Sequence, residues 1–209
     1  PKCYSEVIRL DGDAIHRCIN IECPAKILGS IQHYVSKNCL NIDGLGKKII
    51  ELLMKNNLIN NFSDLYYLNK NDLASLEGLG EKSADNIINS INNSKVCYMS
   101  QFINGLGIRH VGETVAMKLA NTFKSIDELI NSDIESLLSV NEIGEKIAES
   151  ILNYFQDSMN ISILKKLKNA GLIFSIQEKK ELPPNGLNNK KIVVTGTFSS
   201  SREELKDKI

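Results

Sequence analysis

The 209-residue sequence predicts a mainly α-helical chain, and three observations carry that expectation. A turn ending in glycine recurs four times at a nearly fixed interval. After each turn, apolar residues fall at helical spacing. The two ends differ from this middle: the first 25 residues are rich in cysteine, and the last 20 contain one β-branched run. The expected layout is a small β segment over 1–25, a helical repeat over 26–175, a linker over 176–189 and the start of an α/β element over 190–209.

In the first segment, Glu6 to Ile15 alternates weakly around Asp11-Gly12-Asp13 and reads as a short hairpin. So small a piece carries little core and needs a staple, for which thiolate-bound zinc is the usual solution. Cys3, Cys18 and Cys23 are the candidate ligands. A closed structural zinc site wants a fourth. Pro1-Lys2-Cys3 reads as the remainder of a Cys-Pro-x-Cys knuckle, which would place that ligand ahead of Pro1, and His16 is the other candidate. Three free thiols are the alternative. Arg9-Leu10-Asp11-Gly12 and Asn41-Ile42-Asp43-Gly44 resemble the Lys-x-Asp-Gly motif of covalent nucleotidyl transfer, but neither offers its lysine nucleophile.

The repeat is marked by Gly46, Gly80, Gly112 and Gly144, which lie 34, 32 and 32 residues apart. Such a period signals a repeat architecture. Four residues before each marker stand Ile42, Leu76, Ile108 and Val140, and one before stand Leu45, Leu79, Val111 and Ile143. The stripes that follow, such as Ala84, Ile87, Ile88 and Ile91, or Ala148, Ile151, Leu152 and Phe155, have the spacing of a helix with one buried face. Each unit is therefore expected to be a helix, a tight turn and a second helix. Segments beginning at Ser63 and Ser125 are expected to be linking helices capped by those serines.

The turn glycines let the chain adopt φ > 0 and bring bare backbone near a partner. The following helix then aims unpaired N–H groups and its positive end at that partner, an arrangement suited to phosphate. For any single copy, a plain helix cap and turn is the alternative. Gly44 and Gly78 complete a Gly-x-Gly in the first two units, whereas His110 and Glu142 replace that first glycine in the third and fourth. The fourth is accordingly expected to be partly structural. Lys47, Lys48, Lys82 and Lys146 follow the turns and Arg109 lies within one, places where cations do not serve the helix dipole. Ser83 and Thr114 could donate hydroxyls to phosphate oxygens or act as caps. Cys39 and Cys97 are expected as small buried hydrophobes, and Tyr66, Tyr67, Phe102 and Phe123 mainly as core. His33 and Tyr34 are expected to cover the junction with the cysteine-rich segment.

In the tail, Pro183-Pro184-Asn185-Gly186 marks a linker, and Lys191 to Phe198 reads as a short strand followed by a helix from Ser201. A lone strand and helix cannot form a core, so poor packing is expected there, and the chain reads as a fragment.

Formal net charge is zero, with 25 Lys+Arg against 25 Asp+Glu, which excludes a strongly basic nucleic-acid sponge and leaves any DNA contact to local arrangement. No apolar run is long enough to span a membrane. Five unevenly spaced cysteines do not make a disulfide framework, so a reducing cytoplasm is expected.

Three stretches carry a family resemblance: Cys18 to Cys23 with Pro24-Ala25, Ile42-Asp43-Gly44-Leu45-Gly46, and Gly107 to Thr114. The units resemble helix-hairpin-helix motifs, and the whole order resembles the C-terminal half of bacterial NAD-dependent DNA ligases: a four-cysteine zinc finger, four helix-hairpin-helix units, then a BRCT domain. The resemblance implies structural Zn2+ on Cys3, Cys18 and Cys23. It also implies contact with nicked duplex DNA through Gly44, Gly46, Lys47, Lys48, Gly78, Gly80, Lys82, Ser83, Arg109, His110, Gly112, Thr114, Gly144 and Lys146. NAD and Mg2+ would be used by domains outside this stretch, so the stretch alone is expected to be inactive. A bacterial cytoplasmic, nucleoid-associated monomer active in replication and repair is implied. The alternatives are a non-enzymatic repair or junction-binding protein with tandem hairpins and a helical protein-interaction module.

Overall fold

A computed structural model describes residues 2–9, 15–20 and 22–175. All of these fall within one contact unit, Pro1–Gln177. The expected linker and the strand and helix of the tail lie outside the described residues, as does the Asp11-Gly12-Asp13 turn.

The chain opens with β1 (Val7–Ile8) and β2 (Arg17–Cys18), paired antiparallel with Val7 opposite Cys18. The second strand therefore lies beyond Ile15, later than the alternation suggested. Tyr4, Val7, Ile8, Ile15 and Ile19 are all exposed, so this segment has almost no core.

Four helical pairs follow. In the first, α1 (Pro24–Tyr34) precedes α2 (Lys47–Lys55). The second joins α3 (Lys70–Ala74) to α4 (Glu81–Asn93). The third joins α5 (Met99–Gly105) to α6 (Glu113–Thr122), and the fourth α8 (Ile134–Leu138) to α9 (Glu145–Gln156). A 3-10 helix over Phe62–Tyr67 and α7 (Ile126–Ile130) link units, as expected. Ser125 does cap α7. Ser63 does not cap its helix: Asn61 takes that place, accepting from the Ser63 N–H, while Ser63 itself is fully buried. An Asn-x-x-Asp capping box over Asn61 and Asp64 outcompetes the serine.

The apolar positions flanking each marker glycine are all buried, as is the face of each following helix through Ile50, Ile87, Leu119 and Ile151. These side chains belong to one continuous core. Tyr34 stacks on Phe62 with ring centroids 4.4 Å apart, and its hydroxyl meets that of Tyr66 at 3.0 Å. His33 Nε2 lies 2.7 Å from the Asn104 carbonyl of α5. Both residues therefore fasten the first unit to its neighbours, which corrects their expected place beside the cysteine-rich segment. Cys39 and Cys97 are buried, and burial pushes the Cys97 thiol up to about 12. Tyr67 departs from the core expectation: the residue is 54% exposed and its hydroxyl donates to the Lys166 carbonyl.

After α10 (Ser158–Asn169), β4 (Ile173–Ser175) runs parallel to β3 (Val96–Tyr98), with Val96 opposite Ile173. This pair fastens the end of the fourth unit to the start of the third.

Candidate nucleic-acid interface and metal centre

Each hairpin is a tight turn between two buried anchors. In the second unit the Leu79 N–H returns to the Leu76 carbonyl at 3.0 Å, and the equivalent bonds in the third and fourth units are 3.0 and 3.1 Å. Such a turn wants φ > 0 at its third position. That position is Gly44 (φ 86°), Gly78 (φ 83°), His110 (φ 65°) and Glu142 (φ 66°). The left-handed conformation thus survives in the two units that lack glycine there.

The marker glycines behave differently from the expectation that glycine supplies φ > 0 throughout. Gly46, Gly80, Gly112 and Gly144 have φ between −68° and −98° and are N-caps of α2, α4, α6 and α9. None of the four caps offers a side-chain hydrogen bond to its helix. A Cβ built on any of them would meet nothing within 4 Å. Neither backbone conformation nor internal packing therefore requires glycine at these caps. What the absent side chain leaves is open space over the unpaired first-turn N–H groups of four helices. Such N–H groups are an anion site.

Around these caps, Gly44, Gly46, Lys47, Lys48, Gly78, Gly80, Lys82, Ser83, Arg109, His110, Gly112, Thr114, Gly144 and Lys146 are all exposed. Lys47, Lys48, Lys82 and Lys146 form no ion pair with the described residues, and the hydroxyls of Ser83 and Thr114 have no hydrogen-bond partner among them.

The four hairpins are not equivalent. Glu81, Glu113 and Glu145 open α4, α6 and α9, placing a carboxylate in each first turn, whereas α2 opens with Lys47 and Lys48. The first site is the most electropositive, a distinction the sequence reading missed although the marker-plus-one residue displays it. In the fourth hairpin, the Glu142 carboxylate pairs with Lys118 on α6. That pair lies at the surface, with the Glu142 side chain 68% exposed.

The thiols of Cys3, Cys18 and Cys23 come together with all sulfurs within 4.8 Å, and Cys3 and Cys18 Sγ are 3.5 Å apart. A tetrahedral zinc with Zn–S near 2.3 Å spaces its sulfurs roughly 3.8 Å apart, so the donor set fits that ion. Hydrogen bonds from the Ser5 side chain and backbone lower the Cys3 thiol to about 6, whereas burial and the adjacent Cys3 raise that of Cys18; the fit to a metal therefore rests on the sulfur spacing. His16 is not a member of this cluster among the described residues. Cys23 also caps α1, with Pro24 in the first turn, so the metal centre is joined directly to the helical body.

These features define a tandem helix-hairpin-helix protein with a thiolate metal finger at its start. The family model for the NAD-dependent DNA ligase C4 zinc finger domain matches residues 1–25. A SAM-like helix-hairpin-helix tandem matches 37–93, and a helix-hairpin-helix motif matches 101–164. Over its whole length the chain is 43% identical to a DNA ligase of Clostridioides difficile and 44% identical to one of Bacteroides fragilis. It covers 31% and 32% of those relatives. A DNA ligase of Flavobacterium johnsoniae is 42% identical, again across the whole chain and 32% of the relative. The chain resembles DNA ligases over its whole length, carries the match to the NAD-dependent DNA ligase zinc finger at its start, and spans about a third of the length of the curated relatives it matches.

Proposed function

We propose that this chain is the duplex-gripping part of an NAD-dependent DNA ligase that seals nicks during replication and repair. The single observation carrying the proposal is the set of four helix N-caps that are glycine without an internal reason. Duplex phosphates would approach these caps and accept from the backbone N–H groups, with Lys47, Lys48, Lys82, Arg109 and Lys146 adding charge and Ser83, Thr114 and His110 adding polar contacts. No base edge is read in this arrangement, so binding would be independent of sequence. The helical domain over 26–175 would bind as a single copy.

Ligation in such an enzyme would move AMP from NAD, with release of nicotinamide mononucleotide, to a lysine outside these residues, and from there to the 5′-phosphate of the nick. The 3′-hydroxyl then attacks that phosphate and expels AMP. NAD, Mg2+ and the reacting lysine belong to regions outside these residues, and this chain would be inactive alone. Its contribution is to hold both sides of the nick in register, since positioning can lower a barrier by roughly 7–11 kcal/mol in ideal cases. Zinc on Cys3, Cys18 and Cys23 would be structural. The residues from 190 onward would begin a BRCT domain, and the setting would be the bacterial cytoplasm at the nucleoid.

The test is binding of the zinc-loaded chain to a nicked duplex of arbitrary sequence by fluorescence anisotropy. Five cations at phosphates give a log K against log salt slope of roughly −4 to −5. Replacing Gly46 and Gly80 by valine is expected to abolish most of the affinity. Unchanged affinity, or a slope near zero, would overturn the proposal.

A further inference from the structure

Asn104, in the last turn of α5, is the one buried amide side chain among the described residues, with 6% exposure. Its Nδ2 donates to the Asn38 carbonyl at 3.1 Å and to Cys39 Sγ at 3.3 Å. Its own carbonyl accepts from His33 Nε2 at 2.7 Å and from the Gly107 N–H at 3.1 Å. One residue thus joins the stretch 33–39, which leads into the first hairpin, to the exit of α5, where the third hairpin begins. The far side of that third hairpin is tied to the same stretch: Asn38 Nδ2 donates to the Glu113 carboxylate, in the first turn of α6, at 3.4 Å.

Both ends of this connection are stiff. The Asn41 and Ile42 N–H groups return to the Ser36 and Val35 carbonyls, each at 3.0 Å, which holds the path from Asn38 to the first hairpin. Opposite, a Cβ at Gly105 would stand 2.9 Å from Leu40 Cδ2, so α5 presses directly on that path. Apolar contact is non-directional and holds two surfaces together without fixing how one is turned on the other. A buried amide with satisfied hydrogen bonds does fix it. Leucine would fill a similar volume and bury more apolar surface, so cohesion alone gives no reason for asparagine here.

We propose, on the duplex-gripping reading above, that Asn104 with His33 is a positioning pair that sets the third hairpin against the first, so that both reach phosphates of one duplex. Linked contacts reinforce one another only when geometry lets them engage together. The second hairpin is held to the first by a separate contact, between the Asp43 N–H and the Ser90 hydroxyl, and is indifferent to Asn104.

Double-mutant cycles test the pair, using anisotropy of the zinc-loaded 209-residue chain on a nicked duplex of arbitrary sequence. Gly112→Val is expected to weaken binding about tenfold in the parent chain but less than about twofold in an Asn104→Leu background, where the third hairpin is out of register. Gly80→Val should cost the same factor in both backgrounds, whereas a general loosening would treat the two hairpins alike. His33→Ala, at an exposed position, removes the bond to the Asn104 carbonyl and should reproduce the pattern. His33→Gln, whose amide can donate in its place, should restore the full cost of Gly112→Val. Melting curves identify the folded variants, and if Asn104→Leu does not fold, the His33 cycle decides alone. An equal cost of Gly112→Val in every folded background overturns the inference and leaves the duplex reading standing. If neither valine replacement costs affinity even in the parent chain, both fall.

Discussion

The backbone N–H of Asp43, in the first hairpin, donates to the Ser90 hydroxyl on α4 at 2.7 Å. Beside it, a Cβ on Gly44 would stand 2.8 Å from Ile87 Cγ1 of the same helix. The first hairpin is thus clamped on the second unit, whereas the space beside Gly78 is open. Alanine at Gly78 should cost about 1–2 kcal/mol for its left-handed backbone alone. Alanine at Gly44 should cost more, because the clash with Ile87 adds to it. Urea denaturation of the two variants measures the difference, and equal losses would contradict the clamp.

Serine at a marker glycine separates stability from binding. Gly80 caps α4 with extended backbone and nothing near its missing side chain, so Gly80→Ser introduces no strain. The new hydroxyl can accept from the first-turn N–H groups and stabilise the helix by a few tenths of a kcal/mol. Those are the same donors that a phosphate would use. The expected outcome is a slightly higher urea midpoint together with weaker duplex binding, read by anisotropy on the same samples.

The fourth hairpin should accept glycine readily. Glu142 holds φ 66°, which for a residue with a Cβ costs about 1–2 kcal/mol. Its ion pair with Lys118 leaves the carboxylate side chain 68% exposed, so that contact returns only about 0–1 kcal/mol. Glu142→Gly is therefore expected to leave stability unchanged or raise it slightly, and to tighten duplex binding by removing a carboxylate from the hairpin. Loss of more than about 1 kcal/mol would show that the ion pair outweighs the backbone strain.

Acid should loosen α8 first at its cap. Asp133 accepts from Ser136, whose hydroxyl and N–H hold the carboxyl below its ordinary 3.8. A depressed folded value means that the contribution is complete above 3.8 and fades as pH falls through the lower folded value. Asp133→Asn keeps an acceptor but cannot titrate there, so its stability should fall less steeply below pH 4, as followed by urea midpoints at successive pH values.

Chelation should act locally. The cysteine-rich segment exposes Val7, Ile8, Ile15 and Ile19 and has no core to survive metal loss. Removing zinc is expected to open amide exchange at Val7, Ile8, Arg17 and Cys18 while Ile50, Leu53 and Ile87 stay protected. Simultaneous loss of protection in both groups would mean that the helical body depends on the metal.

The repeat was legible because its signal is local: buried anchors such as Leu76 and Leu79 sit at fixed distances from a glycine, and the helical stripe follows at once. The cysteines were legible because the donor chemistry narrows the choice. The division of labour between Gly78 and Gly80 was not, since spacing says nothing about which glycine carries φ > 0. Asn61 prevailed over Ser63 through a reciprocal bond with Asp64 that only the folded turn reveals. The contact of His33 with Asn104 depends on residues far apart in the chain, where periodicity carries no information.

The pairing of Val96 with Ile173 closes a loop of roughly 75 residues, and tying such a loop from a free chain costs on the order of 4 kcal/mol in entropy. Three paired residues per strand are too few to drive that closure unaided. The clasp must therefore form late, once the third and fourth units have folded and brought its ends together. Once shut, it makes those units share one fate: neither end can peel away until the buckle between Val96 and Ile173 opens.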